Sequence, residues 1–171
     1  SKKPKRGKVL DSKQLEEIGT FGRYLDIDND GICYRTIPGT HPTKGAFFTR
    51  GTSHDEYARY TESSDAYEKG MVRLIKKWNT IKKLVPEAEI YQNTNKMALL
   101  FFGTTTYAAL ECMEILKQND IIVDAIRIIS FPCGQEVDSF IENHDTVFVI
   151  EQNRDAQMKS LLVNELEFNP K

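Results

Sequence analysis

The stretch that most constrains this chain is residues 97–131, MALLFFGTTTYAALECMEILKQNDIIVDAIRIISF. An apolar run, MALLFFG, passes through Thr104, Thr105 and Thr106 into an amphipathic segment and then into a second apolar run, IIVDAIRIISF. Parallel strands need a long crossover, and a helix in that crossover covers one face of the sheet. The passage therefore predicts a strand, helix, strand unit of a mostly parallel α/β sheet.

In the crossover, Tyr107, Leu110, Met113, Ile115 and Leu116, with Ala108 and Ala109, make an apolar stripe at roughly helical spacing, while Glu111, Glu114, Lys117 and Gln118 face outward. Asn119-Asp120 closes the helix. Gly103-Thr104 sits where the strand becomes helix, so the hydroxyls of Thr104 and Thr105 are expected to cap free backbone N–H groups. The same position suits a phosphate or carboxylate. After residue 131 the unit repeats: Pro132-Cys133-Gly134 leads to a short helix over 135–143, TVFVIE over 146–151 is a third buried strand, and Asn153-Arg154-Asp155 opens a last helix carrying Met158, Leu161, Leu162 and Leu166. Right-handed crossovers put the loops at 103–105, 131–134 and 151–155 on the carboxyl edge of the sheet, making Thr104, Thr105, Asn153 and Arg154 candidate contacts there. No G-x-G-x-x-G or Walker loop occurs, which argues against a dinucleotide site.

A chain of 171 residues, 40% hydrophobic and 28% charged, can bury one solid core and carry one appendage. A net charge of -2 leaves no electrostatic footprint for nucleic acid, and the basic cluster Lys2, Lys3, Lys5, Arg6 and Lys8 reads as a solvated linker. Residues 1–8, basic and containing Pro4, read as a domain boundary or an engineered chain end. No apolar run approaches the roughly 20 residues that span a bilayer, so no membrane contact is expected and the chain reads as cytoplasmic. Cys33, Cys112 and Cys133 contain no C-x-x-C pair, so neither a disulfide framework nor a metal cage is written in this sequence.

Before residue 97 the pattern is looser. Residues 11–18 predict a short helix capped by Asp11 or Ser12, with Leu15 and Ile18 on one side. Tyr24, Leu25, Ile27, Ile32 and Tyr34 flank a turn and predict a hairpin. The turn, Asp26-Ile27-Asp28-Asn29-Asp30-Gly31, matches the first half of a calcium loop, but the twelfth position is Ile37 instead of Glu and no flanking helices are offered. A polar turn using Gly31, or a weak cation site, accounts for the same residues.

Residues 38–63 are polar and aperiodic, and a loop of that length is usually functional or a linker. His41, Lys44, Arg50, His54, Asp55 and Arg59, interleaved with Phe47, Phe48, Tyr57 and Tyr60, are the candidate substrate or interface residues. His54-Asp55 reads as an acid/base pair or, with Arg50, a carboxylate-binding cluster; a packed segment with locally paired charges is the plain alternative. A long helix then runs from Ser64 or Asp65 to about Leu84. Its Met71, Leu74, Ile75, Trp78, Ile81 and Val85 are expected in the core. A short strand over 88–92 precedes the central unit, dividing the chain into a lead-in over 1–96 and an α/β domain over 97–171.

The strings YRTIPGTHPTKGAFFTRGTSHDEYARYTE and VFVIEQNRDAQMKSLLVNEL, in that order, resemble the C-terminal part of the alpha subunit of 2-oxoacid:ferredoxin oxidoreductases, closest to the 2-oxoglutarate type. The resemblance covers essentially the whole chain. It implies that residues 97–166 resemble the C-terminal domain of transketolase, a three-layer α/β/α sandwich, and that residues 1–96 lead out of a thiamine-pyrimidine domain. The full enzyme would use thiamine diphosphate, magnesium and a 4Fe-4S cluster to decarboxylate a 2-oxoacid oxidatively, passing electrons to ferredoxin and the acyl group to coenzyme A. The resemblance implies that its thiamine and cluster ligands lie mostly on a beta subunit, and the lack of a G-D-G motif and a Cys cluster in this chain agrees with that. The expected role here is structural: assembly with the rest of the alpha subunit and a beta subunit, with no catalytic residue, metal or cofactor of its own, and a homo-oligomer as a further partner state. The rival reading is a non-catalytic ligand-binding or regulatory module on a flavodoxin-like sheet.

Overall fold

The computed structural model describes residues 7–48, 53–91 and 94–165. Leu166, and Lys2, Lys3, Lys5 and Arg6 of the basic cluster, lie outside the described residues. The chain divides into two compact units, Ser1–Ile81 and Lys82–Lys171.

The first unit opens on α1 (Ser12–Ile18). The Asp11 carboxylate accepts the Gln14 N–H at 2.8 Å, and the Gln14 side chain accepts the Asp11 N–H at 2.9 Å, a reciprocal cap that satisfies two otherwise unpaired donors. Leu15 is the buried anchor of this short helix. The expected hairpin over 24–34 does not form. Asp26 takes the N–H groups of Asp30 and Gly31 on its two carboxylate oxygens, at 3.0 and 2.9 Å, and Asp30 takes that of Ile32 at 2.9 Å. Side-chain oxygens thus occupy donors that a strand ladder would need, and the chain curls instead of pairing. Gly31, at φ 80°, lies against α2 (Ser64–Ile81), where a Cβ would run into the Lys77 backbone.

The second helix corrects a further expectation. Its polar face packs within the unit: Arg73 donates to the Gly31 carbonyl at 3.1 Å, Thr80 to the Asp30 carbonyl at 2.7 Å, and Lys76 to Asn29. None of its described residues is buried, and Met71, Leu74, Ile75 and Trp78, expected in a core, are all exposed. The periodicity signals a helix with an apolar stripe, and that helix is present, but the turn carbonyls and Asn29 recruit the opposite face.

The second unit holds a four-stranded sheet, built from β1 (Glu89–Tyr91), β2 (Met97–Phe102), β3 (Asp124–Ile128) and β4 (Thr146–Ile150) in the order β1-β3-β2-β4. β2 is parallel to both β3 and β4, and β1 pairs antiparallel with β3. A short 3-10 turn (Gly103–Thr105) and α3 (Thr106–Gln118) join β2 to β3; α4 (Gln135–Glu142) and α5 (Gln157–Glu165) bracket β4. Two apolar clusters fill the two faces. Ala98, Leu100, Ile126 and Ile128 pack with Val137, Phe140, Ile141 and Leu162; Leu99, Phe101 and Ala125 pack with Ala109, Leu110, Met113 and Leu116. That is a three-layer α/β/α sandwich: the crossover pattern predicted the mostly parallel sheet, and the family resemblance implied the three layers.

Two details of the packing differ from expectation. On α3 the buried line runs through Thr106, Ala109, Leu110, Met113 and Leu116, whereas Tyr107 is 84% exposed and Ile115 lies outside it. Only the first set keeps helical spacing toward β2 and β3. β4 is a sheet edge, and α3 covers its neighbours without reaching it, so Phe148 is 50% exposed and Ile150 is also on the surface. The continuous apolar pattern of TVFVI does not mean two-sided burial within this chain.

Candidate functional site

The loop residues fall into two local assemblies in the first unit. His41 Nδ1 accepts the N–H groups of Thr43 and Lys44, at 3.1 and 2.9 Å, which places the ring proton on Nε2 and makes it a donor to Glu16 of α1 at 2.7 Å. Lys44 reaches the same carboxylate, and hydrogen bonds from Lys44 and then His41 hold Glu16 below the usual carboxylate range. Both nitrogens of His41 are engaged. The assembly fastens the loop to α1.

The second assembly is a tight turn. His54 bridges to Tyr60, and Asp55 accepts the N–H groups of Tyr57 and Arg59 on one carboxylate oxygen, both at 2.9 Å. His54 Nδ1 donates to the Asp55 carbonyl at 3.0 Å, not to its carboxylate, which leaves Nε2 as the lone-pair nitrogen. The ring stacks on Tyr24 at 4.0 Å with a 16° tilt between planes. Arg59 lies over the Tyr57 ring at 5.5 Å. His54, Asp55 and Tyr24 line a cleft of about 410 Å³, whose far wall is one face of α2: Ala66, Lys69, Gly70, Arg73 and Lys76. Small residues at 66 and 70 make the room. Arg50 lies outside the described residues.

The calcium-like turn has a cation of its own. Lys8 Nζ sits 2.6 Å from Asp28 and 2.7 Å from Asp30. Burial opposes the charged ammonium, but hydrogen bonds to the two carboxylates outweigh it and raise the Lys8 pKa. Among the described residues no three His, Cys, Asp or Glu side chains converge as a metal site requires. Cys133 is buried, and desolvation pushes its thiol up to about 11, the behaviour of a packing residue.

On the carboxyl edge of the sheet, Thr104 is exposed, Thr105 is buried, and neither caps the helix that follows. The one hydroxyl bond there runs the other way, from Thr106 to the Gly103 carbonyl at 2.8 Å. Asn153 accepts the Gln157 N–H at 3.1 Å, and Glu151 accepts those of Met158 and Lys159 at 3.0 and 3.2 Å. Burial would raise the Glu151 pKa, yet these backbone donors and Asn153 hold it low. The anion position at the start of α5 is thus filled by the chain's own carboxylate. Arg154 pairs with its neighbour Asp155 at 2.7 Å and is open to solvent.

Sequence reasoning overlooked one pair, Asp124 and His144, both with side chains fully buried. Asp124 also accepts Asn95 N–H at 2.8 Å and Asn95 Nδ2 at 2.5 Å. The available signal was a lone carboxylate inside the apolar run IIVDAIRII.

No protein-family model matches the chain. A stretch of 130 residues is 32% identical to the 2-oxoacid:ferredoxin oxidoreductase subunit alpha of Saccharolobus solfataricus, covering 74% of this chain and 19% of that protein. The chain resembles part of that alpha subunit. A solved structure, the 2-oxoglutarate:ferredoxin oxidoreductase from Magnetococcus marinus with 2-oxoglutarate, coenzyme A and succinyl-CoA bound, superposes with a TM-score of 0.77 over 95% of this chain and 28% of its own, at 22% identity. The fold is therefore shared with that oxidoreductase. This chain spans about a fifth of the curated alpha subunit it matches.

Proposed function

We propose that the chain is the C-terminal structural and assembly part of the alpha subunit of a 2-oxoacid:ferredoxin oxidoreductase, of the 2-oxoglutarate type, that forms acyl-CoA, CO2 and reduced ferredoxin. The observation that carries this reading is the 32% identity over 130 residues to a 2-oxoacid:ferredoxin oxidoreductase alpha subunit. The sandwich shared with the 2-oxoglutarate enzyme supports it. Neither comparison favours the rival small-ligand or regulatory module.

In such an enzyme thiamine diphosphate would supply the decarboxylation chemistry and a 4Fe-4S cluster would carry the electrons. Among the described residues no three His, Cys, Asp or Glu side chains converge as a metal would require, Cys112 is exposed and Cys133 is buried in the core. The contribution of this chain is positional. The sandwich is a packed scaffold, and the loop that carries the candidate residues His41, Lys44, Arg50, His54, Asp55 and Arg59 would meet the rest of the alpha subunit, a beta subunit or the approaching substrate and coenzyme. No described helix is long and apolar enough to cross a membrane, and a cytoplasmic location fits the proposed electron transfer to ferredoxin.

The test is co-purification with a candidate beta subunit carrying a G-D-G thiamine motif and a Cys cluster, followed by viologen reduction with 2-oxoglutarate and coenzyme A. The complex is expected to be active and this chain alone inactive. Activity of the chain alone, or failure to associate with the other subunits, overturns the assembly role.

A further inference from the structure

Two guanidinium groups gather on one aromatic ring in the first unit. Arg23 lies 5.3 Å from the centre of the Tyr24 ring and Arg73 lies 5.8 Å from it, while the His54 ring stacks on the same phenol at 4.0 Å. Arg23 is also held over Phe47, at 5.7 Å. Both arginines are half-buried. Cys33 registers the same pair of charges: burial raises its thiol pKa, and Arg73 and Arg23 each act to lower it.

Among the described residues neither arginine has a carboxylate partner, and the one hydrogen bond from either guanidinium is that of Arg73 to the Gly31 carbonyl, at 3.1 Å. The acids nearby are held elsewhere. Both carboxylate oxygens of Asp26 accept backbone N–H groups, and one of them faces Lys76 at 3.6 Å; Asp55 accepts two N–H groups on one oxygen. Glu56 and Glu68 line the cleft beside α2 without coming within ion-pair distance of either guanidinium. Like charges on one ring repel, and half-burial removes part of the water that would screen them, so an oxyanion between them relieves both costs. A guanidinium over an aromatic ring is positioned by its face and recognises a carboxylate or a phosphate by its N–H edge.

Tyr24 and Arg73 also line that cleft, whose volume of about 410 Å³ is usual for a small-ligand site. Gly70 forms part of its wall in the interior of α2, where glycine weakens a helix. A Cβ added at Gly70 would meet nothing within 4 Å, so no described neighbour requires the room that this glycine leaves.

We propose that Arg23 and Arg73, gathered on Tyr24, bind the oxyanion of a small ligand, a carboxylate or a phosphate, whose body lies in the cleft over Gly70. The proposal does not depend on the oxidoreductase reading.

The test is isothermal titration calorimetry of the full chain with inorganic phosphate and, separately, with acetate, in chloride buffer at constant ionic strength so that general screening is unchanged. Saturable binding of at least one ion is expected, and the tighter of the two tells a phosphate site from a carboxylate site. Arg23→Gln and Arg73→Gln should each weaken that binding by at least about 10-fold, the usual loss for a charge-assisted hydrogen bond. Lys13→Gln, in a solvent-exposed position on α1, should leave it unchanged. Phenyl phosphate or benzoate, whichever shares the preferred head group, should bind more tightly than the bare ion, and Gly70→Leu should remove that gain by filling the cleft. Circular dichroism accompanies each variant; if Arg73→Gln unfolds the chain through loss of its bond to Gly31, Arg23→Gln decides the outcome. Absence of saturable binding by both ions overturns the proposal. So does a loss in Lys13→Gln equal to that in Arg23→Gln, or a phenyl-bearing probe that binds no more tightly than the bare ion.

Discussion

His144 Nε2 lies 3.0 Å from the Asp124 carboxylate, and neither side chain has any solvent exposure. The other ring nitrogen, Nδ1, faces the Phe140 carbonyl at 2.5 Å, so both ring positions meet oxygen partners. The pair ties the start of β3 to the α4–β4 connection, and Asn95 ties in the entry to β2.

Removing one side of this pair leaves the other buried without its partner. Asp124→Ala is expected to destabilise the second unit by about 3 to 5 kcal/mol, the usual cost of breaking a buried pair, measured by urea unfolding. Burial raises the Asp124 pKa, but its hydrogen bonds from Asn95, His144 and Thr94 more than offset this and leave it lowered. Its contribution is therefore present above the unfolded-state value of about 3.9 and is lost as pH falls through the lower folded-state value. Asp124→Asn should flatten the acid limb of the stability curve below about pH 4; an unchanged limb refutes the assignment.

The edge position of β4 separates two phenylalanines that look alike in sequence. Phe101 is fully buried, and Phe101→Ala should cost about 3 to 5 kcal/mol. Half-exposed Phe148 should cost about 1 to 2 kcal/mol in the same substitution, because part of its surface is never withdrawn from water. Equal losses in denaturant melts would mean that β4 is covered in solution.

Calcium should not raise the melting temperature, because the Lys8 ammonium already sits between Asp28 and Asp30. A shift of several degrees at millimolar calcium, abolished by Asp28→Ala, would contradict that arrangement. Lys8→Met should lower stability and leave the two carboxylates repelling each other, which added calcium would then partly relieve.

The loop prediction concerns the assembled enzyme. Arg50→Ala or His54→Ala should lower turnover or subunit association while moving the melting temperature of this chain little, since His54 forfeits mainly its stack on Tyr24, worth about 0.5 to 1.5 kcal/mol. Unfolding of the chain by either change would make the loop part of its core. Unchanged kinetics and association would remove its functional role.

The crossover unit was legible because its signals are local: an apolar run, a helical stripe and a second apolar run can be assembled in only a few ways. The cap of α1, expected at Asp11 or Ser12 and found at Asp11, was legible for the same reason, since its partner lies three residues away. Strand order, the edge position of Phe148 and the outward turn of α2 were not, because each depends on which residues arrive from elsewhere. Periodicity reports that a helix has an apolar face; the carbonyls of Asp30 and Gly31 and the Asn29 side chain decided that its polar face would be held. In the same way, IIVDAIRII marks Asp124 as costly to bury, but only the fold brings His144 from 20 residues away to hold its charge.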